Sequence, residues 1–219
     1  MLSTYVFDAY GTLFDVHAAI GRYRDAAGAD AENLSQLWRT KQLEYTWTLT
    51  LAGHYFDFWT LTERALDYAL ARYPSVDRSL RANFLDAYRQ LDAYPDACST
   101  LAALKARGAR LAILSNGSPG MLASAVDAAG LGKLFDAVLS VDAVGAYKPR
   151  SEVYALVTNE FGVKAQEVAF VSSNRWDVMG ATTFGFGTFW INRSQMPDEY
   201  QPFPPVQRLA GLEDLLSQN

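Results

Sequence analysis

Short apolar runs alternate with amphipathic stretches over much of this chain. Runs of three to five residues, rich in residues that favour β-structure, are typical of strands buried on both faces. Between them, apolar residues recur at three- and four-residue spacing, which is typical of helices. This alternation predicts an α/β fold with a parallel sheet covered by helices on both faces. The predicted strands are Tyr5–Phe7, Arg110–Leu114, Ala137–Ser140, Glu167–Val171 and Thr188–Ile191.

The helices between the later strands have recognisable ends. Ser118 followed by Pro119 is a typical helix start, and Gly130 is a typical helix stop. The same reasoning predicts a helix that begins at Pro95-Asp96, and another that Ser151 caps at its N-terminus. Strand and helix therefore alternate from residue 95 onward.

One region departs from this alternation. From Val16 to Leu91 the sequence shows no convincing strand, only helical periodicity; for example Leu80, Phe84, Tyr88 and Leu91 recur at intervals of four, four and three. We therefore predict a helical cap inserted after the first strand. The predicted division assigns residues 1–15 and 93–219 to the α/β core and residues 16–92 to the cap.

Composition narrows the functional classes. The 219 residues carry a net charge of -5, and the 19 basic residues are scattered, so we expect no nucleic-acid partner. No apolar stretch is long enough to span a membrane and the N-terminus reads as a strand, so we expect a soluble, cytoplasmic protein. The chain has only two histidines, which argues against a zinc site. Cys98 is expected to be a small buried residue. The prolines from Pro202 to Pro205 predict an extended surface tail.

Polar residues collect where the predicted strands end. In open parallel sheets, ligands bind beyond the carboxyl ends of the strands. Each of these residues has a plain structural reading as well: a turn cap for Asp8, a surface lysine for Lys148, an N-cap for Asp177. Their convergence on one edge favours an active site. The residues in question are Asp8, Ala9, Tyr10, Thr12, Ser115, Asn116, Lys148, Ser172, Ser173, Asn174, Trp176 and Asp177.

Four of these segments resemble the motifs of the haloacid dehalogenase superfamily, in the family's order. They are the run from Phe7 to Phe14, Ser115-Asn116, Lys148-Pro149 and the stretch from Ser172 to Asp177. In the predicted cap, Trp38-Arg39, the run from Lys41 to Trp47, and Phe58-Trp59 are similar to the L-2-haloacid dehalogenases in particular. The resemblance implies a Rossmann-like parallel core of the haloacid dehalogenase type with an inserted helical cap.

The resemblance also implies a reaction: hydrolysis of short L-2-haloacids to D-2-hydroxyacids and halide. Asp8 would attack the halogen-bearing carbon and form an ester, which water then hydrolyses. Asp177 would position or activate that water, and Lys148 would support both carboxylates. Thr12, Ser172 and Asn174 would hold Asp8 by hydrogen bonds, while Arg39 would receive either the substrate carboxylate or the halide.

Further residues are expected to shape the substrate site. Backbone amides near Ala9 and Tyr10, with Ser115 and Asn116, would take the substrate carboxylate. Core packing is the competing reading for the aromatic residues. The expected apolar wall round the halogen and alkyl group is formed by Tyr10, Leu43, Phe58 and Trp176. Tyr154 resembles a family residue near Lys148 and Asp177, with a helix-core tyrosine as the competing reading. Family members are commonly homodimers, so the resemblance implies a homodimer here.

Two alternatives remain at this stage: a magnesium-dependent phosphatase of the same fold, and a catalytically silent binding module. Phosphatases of the superfamily carry an acid two positions after the nucleophile, where this chain has Tyr10. Its fourth motif offers Asn174 and Trp176, which leaves Asp177 as the one obvious carboxylate for a cation that prefers several oxygen ligands. We therefore expect no metal and no cofactor.

The sequence departs from the family pattern at three places. Arg175 replaces a small residue and is expected either to alter the fourth loop or to point outward. Thr40 replaces a larger polar residue and is expected to enlarge the pocket. Thr48-Leu49-Thr50 differs from the usual pair after Trp47 and is expected to affect cap packing.

Overall fold

A computed structural model describes residues 3–200 and 206–218, so the predicted tail at Pro202, Pro204 and Pro205 lies outside the described residues. Its centre is a parallel six-stranded sheet in the order β3-β2-β1-β4-β5-β6. The five predicted strands are confirmed. The sixth was missed because it has three residues and only one of them is buried. The strands are β1 (Thr4–Phe7), β2 (Arg110–Ser115), β3 (Ala137–Ser140), β4 (Val168–Ser172), β5 (Gly187–Ile191) and β6 (Gln207–Leu209).

Helices cover the sheet, as the sequence predicted. In the central strands β1 and β4 every residue is buried, which requires a covering layer on both faces. The α/β fold with a parallel core is therefore confirmed. The helices that flank the strands are α6 (Ala97–Ala106), α7 (Pro119–Ala128), α8 (Ser151–Phe161) and α9 (Arg175–Phe184), numbered after five that precede them in the chain.

Those five helices lie between β1 and α6, and the described chain forms no strand there. Along the longest of them, buried Leu34, Trp38, Gln42 and Thr46 recur at every fourth position, so this stripe faces the neighbouring helix. Phe84, Tyr88 and Leu91 are buried as the periodicity predicted. The five helices are α1 (Ala18–Gly21), α2 (Arg24–Ala27), α3 (Ala31–Leu51), α4 (Phe58–Arg72) and α5 (Arg81–Arg89).

The chain passes between the sheet and these helices at two adjacent points. Phe14 and Ala93 form an antiparallel bridge, and the Tyr94 amide donates to the Leu13 carbonyl at 2.8 Å. The outgoing and returning segments are thus hydrogen-bonded to each other. We propose on this basis that the domain boundaries lie at 15/16 and 92/93, as the sequence predicted.

The far end of the helical part is tied to the core by a tyrosine cluster. The Tyr147 hydroxyl donates to the Phe56 carbonyl at 2.6 Å, and the Tyr55 hydroxyl donates to Asp142. The Tyr147 amide donates to Thr50 Oγ1 at 3.3 Å, so one of the departures from the family pattern contributes to the contact between cap and core. The cap is therefore held at both ends over the edge where the strands finish.

Two local predictions were wrong. Ser151 is the first residue of α8 and Arg150 occupies its N-cap, one residue earlier than predicted. Cys98 is exposed rather than buried, because it lies on the outer face of α6 while Ala97 and Leu101 face the core. Within the residues that the structure describes, no helix is both long and apolar enough to cross a membrane.

Candidate active site

Asp8 lies at the carboxyl end of β1, a strand in the middle of the sheet. Its amide donates to the Val171 carbonyl at 2.9 Å, so the backbone stays in the sheet while the side chain projects beyond it. The chain then turns back sharply, because the Ala9 carbonyl accepts from the amides of Leu13 and Phe14. Gly11 makes this turn possible at a φ of 93°, where a side chain would be strained.

The Asp8 carboxylate is surrounded asymmetrically. Its Oδ2 accepts from Asn174 Nδ2 at 2.8 Å, from Thr12 Oγ1 at 3.0 Å and from Ser172 Oγ at 3.5 Å. Its Oδ1 accepts from Lys148 Nζ at 3.2 Å. Three neutral donors therefore orient one oxygen, and a single cation faces the other.

Thr12 joins two of the predicted motifs. Its hydroxyl accepts from the Ser173 amide at 2.8 Å, which directs the single hydroxyl hydrogen toward Asp8. The Ser172 hydroxyl accepts from the Asn174 amide at 3.1 Å in the same way. The loops after β1 and β4 thus fix each other and Asp8 together, as parallel neighbouring strands allow.

Lys148 and Asp177 form a buried ion pair beside Asp8. Lys148 Nζ donates to Asp177 Oδ2 at 2.8 Å, and both side chains are inaccessible to solvent. Burial alone would lower the pKa of Lys148, but the carboxylates of Asp177 and Asp8 outweigh it and raise this pKa, so the ammonium stays charged. Burial raises the pKa of Asp177 to about 6, although Lys148 opposes the shift.

Tyr154 hydrogen-bonds the carboxylate oxygen of Asp177 that Lys148 does not contact. Its hydroxyl donates to Asp177 Oδ1 at 2.8 Å, and burial together with this carboxylate raises the pKa of Tyr154 well above its usual value. The hydroxyl therefore remains a donor. A side chain at Gly180 would collide with it, since a Cβ there would lie 2.5 Å from Tyr154 Oη. The absence of a side chain at Gly180 thus allows Tyr154 to reach Asp177.

Arg39 reaches the site from the cap. On α3, its Nη2 donates to the Tyr10 carbonyl at 3.1 Å and its Nη1 to Gln42 Oε1 at 2.7 Å. Gln42 is buried and also contacts Thr62 and the Tyr88 hydroxyl. Sequence reasoning assigned no role to Gln42. Its position three residues after Arg39, on the same face of the helix, was the available signal.

Aromatic rings lie on the cap side of Asp8. The Tyr10 ring stacks on Tyr88 at 5.7 Å between centroids and lies 5.9 Å from Phe58. Trp176, half buried, meets Trp47 edge to face at 5.3 Å. The half-buried Leu43 lies one turn beyond Arg39 on α3. These rings pack against one another, and Tyr10 lies two residues after the nucleophile.

Ser115 is the last residue of β2, Asn116 follows it, and both are almost fully buried. Ser115 Oγ accepts from the Gly117 amide at 3.0 Å, and Asn116 Oδ1 accepts from the Lys148 amide at 3.2 Å. Both side chains thus shape the loops around Lys148. Their predicted contact with a substrate carboxylate stays a prediction.

For the unusual residues, the expectation about Thr40 was wrong, and one of the two readings of Arg175 is excluded. Thr40 is exposed and donates to the Gln36 carbonyl on its own helix, so it cannot enlarge a pocket. Arg175 does not point outward: its side chain is 3% exposed and forms two hydrogen bonds with Asp198, with Nε to Oδ1 at 2.8 Å. Its guanidinium also lies 5.4 Å from the Tyr200 ring centre, so it binds the segment that follows β5.

No group of three His, Cys, Asp or Glu side chains that could hold a metal ion occurs in residues 3–200 and 206–218. At the carboxylate nearest Asp8, Lys148 engages one oxygen of Asp177 and Tyr154 the other. Each oxygen of Asp177 thus already accepts one hydrogen bond from the protein, and one of the two donors is a cation. The donor set therefore fits an ammonium ion better than a divalent metal.

Comparison with known proteins gives a consistent result. The family model of the haloacid dehalogenase-like hydrolases matches residues 2–185. (S)-2-haloacid dehalogenase 1 of Pseudomonas sp. (strain CBS-3) is 49% identical over 96% of this chain and 93% of its own, and (S)-2-haloacid dehalogenase 4A of Burkholderia cepacia is 49% identical over 98% and 94%.

A solved structure extends the comparison to three dimensions. The L-2-haloacid dehalogenase of Xanthobacter autotrophicus with chloropropionic acid covalently bound superimposes with a TM-score of 0.90 at 41% identity. The superposition covers 98% of this chain and 97% of that one. The chain therefore belongs to the haloacid dehalogenase-like hydrolases, and within them to the (S)-2-haloacid dehalogenases, hydrolases that act on carbon–halide bonds.

Proposed function

We propose that this protein hydrolyses short L-2-haloacids to D-2-hydroxyacids and halide through an ester on Asp8, without a metal. The observation that carries the proposal is the asymmetric setting of Asp8, whose Oδ2 accepts three hydrogen bonds while Oδ1 faces only Lys148. An oriented carboxylate with one less encumbered oxygen suits attack on carbon. The covalently bound chloropropionic acid in the Xanthobacter relative supports a covalent intermediate.

In the first step, Asp8 Oδ1 attacks the halogen-bearing carbon from the side opposite the halogen. A carbon–oxygen bond forms, the carbon–halogen bond breaks, and the halide leaves with the bonding electrons. The carbon is inverted once. Oδ2 becomes the carbonyl oxygen of the ester, and the donors from Thr12, Ser172 and Asn174 then lie where negative charge develops in the next step.

In the second step, water attacks the ester carbonyl carbon of Asp8. Asp177 accepts a proton from this water and returns it to the leaving alkoxide oxygen as the bond between the carbonyl carbon and Oδ1 breaks, which releases the hydroxyacid, and the Asp8 carboxyl then loses its remaining proton to solvent. The inverted carbon is not attacked again, so an L substrate gives a D product. Lys148, which contacts both carboxylates, stabilises their charges through the cycle.

Arg39 supplies the cationic group from the cap. Its guanidinium is anchored by the Tyr10 carbonyl and Gln42, which leaves further N–H donors for an anion. We propose that it holds either the substrate carboxylate or the departing halide. Ser115 and Asn116, at the carboxyl end of β2, are proposed to assist with the carboxylate. The substrate would then be held between cap and core beside the Tyr10, Phe58 and Trp176 rings.

The first test is halide release from L- and D-2-chloropropionate in EDTA, with p-nitrophenyl phosphate plus magnesium as the parallel assay. We expect chloride from the L isomer alone, unchanged by EDTA, and D-lactate as the product. Magnesium-dependent phosphate release without chloride would identify a phosphatase instead. Binding of 2-haloacid without any turnover would identify a binding module.

The pH dependence of turnover tests the role of Asp177. A proton acceptor must be ionised, so protonation of Asp177 on acidification stops ester hydrolysis. With the pKa of Asp177 raised to about 6, kcat is expected to fall as the pH drops through about 6. The measurement is kcat against pH with saturating L-2-chloropropionate.

A Tyr154→Phe variant sharpens this test. The Tyr154 hydrogen bond lowers the pKa of Asp177, so its removal is expected to move the acid limb of the profile to higher pH. Thr158→Val on the same helix, where Thr158 Oγ1 donates only to a local carbonyl, serves as the control and should leave the profile in place. An acid limb that Tyr154→Phe does not move would count against Asp177 as the titrating base.

We also propose that the protein forms a homodimer and that it is located in the cytoplasm. Sedimentation of the purified protein tests the first, and fractionation of the source cells tests the second.

A further inference from the structure

Arg193 occupies a position outside the four motifs but next to two of them. It follows β5 and is half buried, and its guanidinium contacts three separate segments. Nη1 donates to Ser173 Oγ at 3.1 Å, while Nη2 donates to the Thr12 carbonyl at 3.4 Å and to Asp96 Oδ1 at 3.1 Å. The Tyr94 ring lies against it, with 4.0 Å from the guanidinium carbon to the ring centre.

The two loops that Arg193 contacts are those that orient the nucleophile. The Ser173 amide donates to Thr12 Oγ1 at 2.8 Å, and Thr12 Oγ1 donates to Asp8 Oδ2 at 3.0 Å. Arg193 contacts the side chain of Ser173 and the carbonyl of Thr12, so it holds both partners of that link. A planar guanidinium with several fixed donors suits this task in a way that a single ammonium does not.

Asp96 holds the guanidinium in place. Besides its ion pair with Arg193, its Oδ2 accepts from the Leu212 amide at 2.8 Å. The side chains of Arg193 and Asp96 are 24% and 14% exposed, so water competes only in part for the pair. The position of Arg193 is therefore set from outside the active site.

We propose that Arg193 is a positioning residue for the reaction: by bracing Ser173 and Thr12, it fixes the direction of the Thr12 hydroxyl hydrogen toward Asp8. The inference rests on the proposed dehalogenation. Arg193 has no direct hydrogen bond to Asp8, so its effect passes through the two loops. It is accordingly expected to act on kcat more than on KM.

The test compares Arg193→Met with Arg110→Met. Arg110 is a matched control at the opposite end of the sheet: half buried, it donates to Thr4 Oγ1 at 2.9 Å and lies over the Phe161 ring. Loss of the hydrogen bonds from Arg193 to Ser173 and Thr12 is expected to lower kcat for L-2-chloropropionate about 10- to 100-fold with little change in KM. Arg110→Met should leave kcat near the wild-type value.

Amide hydrogen exchange provides a readout that needs no turnover. Exchange in residues 9–13 and 172–175 is expected to accelerate in Arg193→Met and not in Arg110→Met, since the Ser173 amide loses its fixed acceptor. Arg193→Lys keeps the ion pair with Asp96 but cannot reach all three acceptors, so it should recover part of kcat. Thermal unfolding of each variant shows that it is folded.

A double-variant cycle identifies the path of the effect. If Arg193 acts through Ser173, the loss from Ser173→Ala together with Arg193→Met should be smaller than the product of the two separate losses. Equal kcat and equal exchange for the Arg193→Met and Arg110→Met variants would overturn the proposal. If the wild-type protein releases no halide, the proposed function fails, and the exchange result alone decides whether Arg193 braces the loops.

Discussion

Replacing Asp8 with asparagine is expected to lower halide release from L-2-chloropropionate at least about 10⁴-fold, as removal of a nucleophile does in other hydrolases. An amide oxygen is a poor nucleophile. If that oxygen accepts the hydrogen bonds from Thr12 and Asn174, the amide nitrogen must face the Lys148 ammonium, so two donors oppose each other. The variant thus loses both the reactive atom and the pairing that orients it.

The measurement is steady-state halide release together with mass spectrometry of protein quenched during turnover. Wild-type protein is expected to carry the mass of the ester on a peptide that contains Asp8, and the variant is not. Asp15→Asn is the matched control, because this carboxylate lies in the same segment but accepts only from the His17 amide, at 2.9 Å. Its turnover should change by less than about threefold. An ester found on another residue would contradict the assignment of the nucleophile.

Replacing Lys148 with methionine is expected to abolish most turnover and also to destabilise the fold. Without the ammonium, Asp8 and the fully buried Asp177 have no cation beside them. Removing one partner of a buried pair costs about 3–5 kcal/mol in the free energy of unfolding. Turnover is expected to fall about 10³-fold, as loss of a charged group at a reacting carboxylate does.

The stability of the Lys148→Met variant is expected to depend on pH through the pKa of Asp177. Burial already raises the pKa of Asp177, and Lys148 opposes the rise, so its removal raises this pKa further. The folded variant then binds more protons than the unfolded chain above the ordinary carboxyl pKa, and its stability falls as the pH rises through the folded pKa. The loss should therefore be larger at pH 8 than at pH 5.

Urea unfolding at the two pH values measures this difference. Lys105→Met is the control, because Lys105 pairs with Asp136 at 2.6 Å but both side chains are about a third exposed. Loss of that pair is expected to cost less than about 1 kcal/mol at either pH. A Lys148→Met variant that unfolds like Lys105→Met would show that the buried pair does not stabilise the fold.

Much of the core was predictable because its signals are local. Strands buried on both faces give continuous apolar runs, and Ser118-Pro119 marks a helix start whatever lies around it. Asp8 follows directly on such a run, so its place at a strand end could be inferred. Strand β6 could not, since its three residues carry a single buried side chain.

The cap contributions were harder to foresee. Arg39 meets the Tyr10 carbonyl across 29 residues, and the buried Gln42 that holds it carries no signal beyond its helical spacing. For Arg175 the sequence left two readings open, and its contact with Asp198, 23 positions away, is what keeps the side chain buried. Contacts of this kind depend on how separate elements pack together, and a local sequence pattern does not specify that packing.

The α/β core, the helical insertion and the polar residues at the strand ends follow from the sequence alone, because they depend on hydrophobic periodicity and on the chemistry of neighbouring residues. The packing of separate elements, in contrast, sets which donors meet which oxygen of Asp8, places Lys148 between two carboxylates, and brings Arg193 to the loops that it contacts. Hydrogen bonds require separations of about 3 Å and aligned donors, and that geometry arises only when the loops of several strands and the cap are brought together.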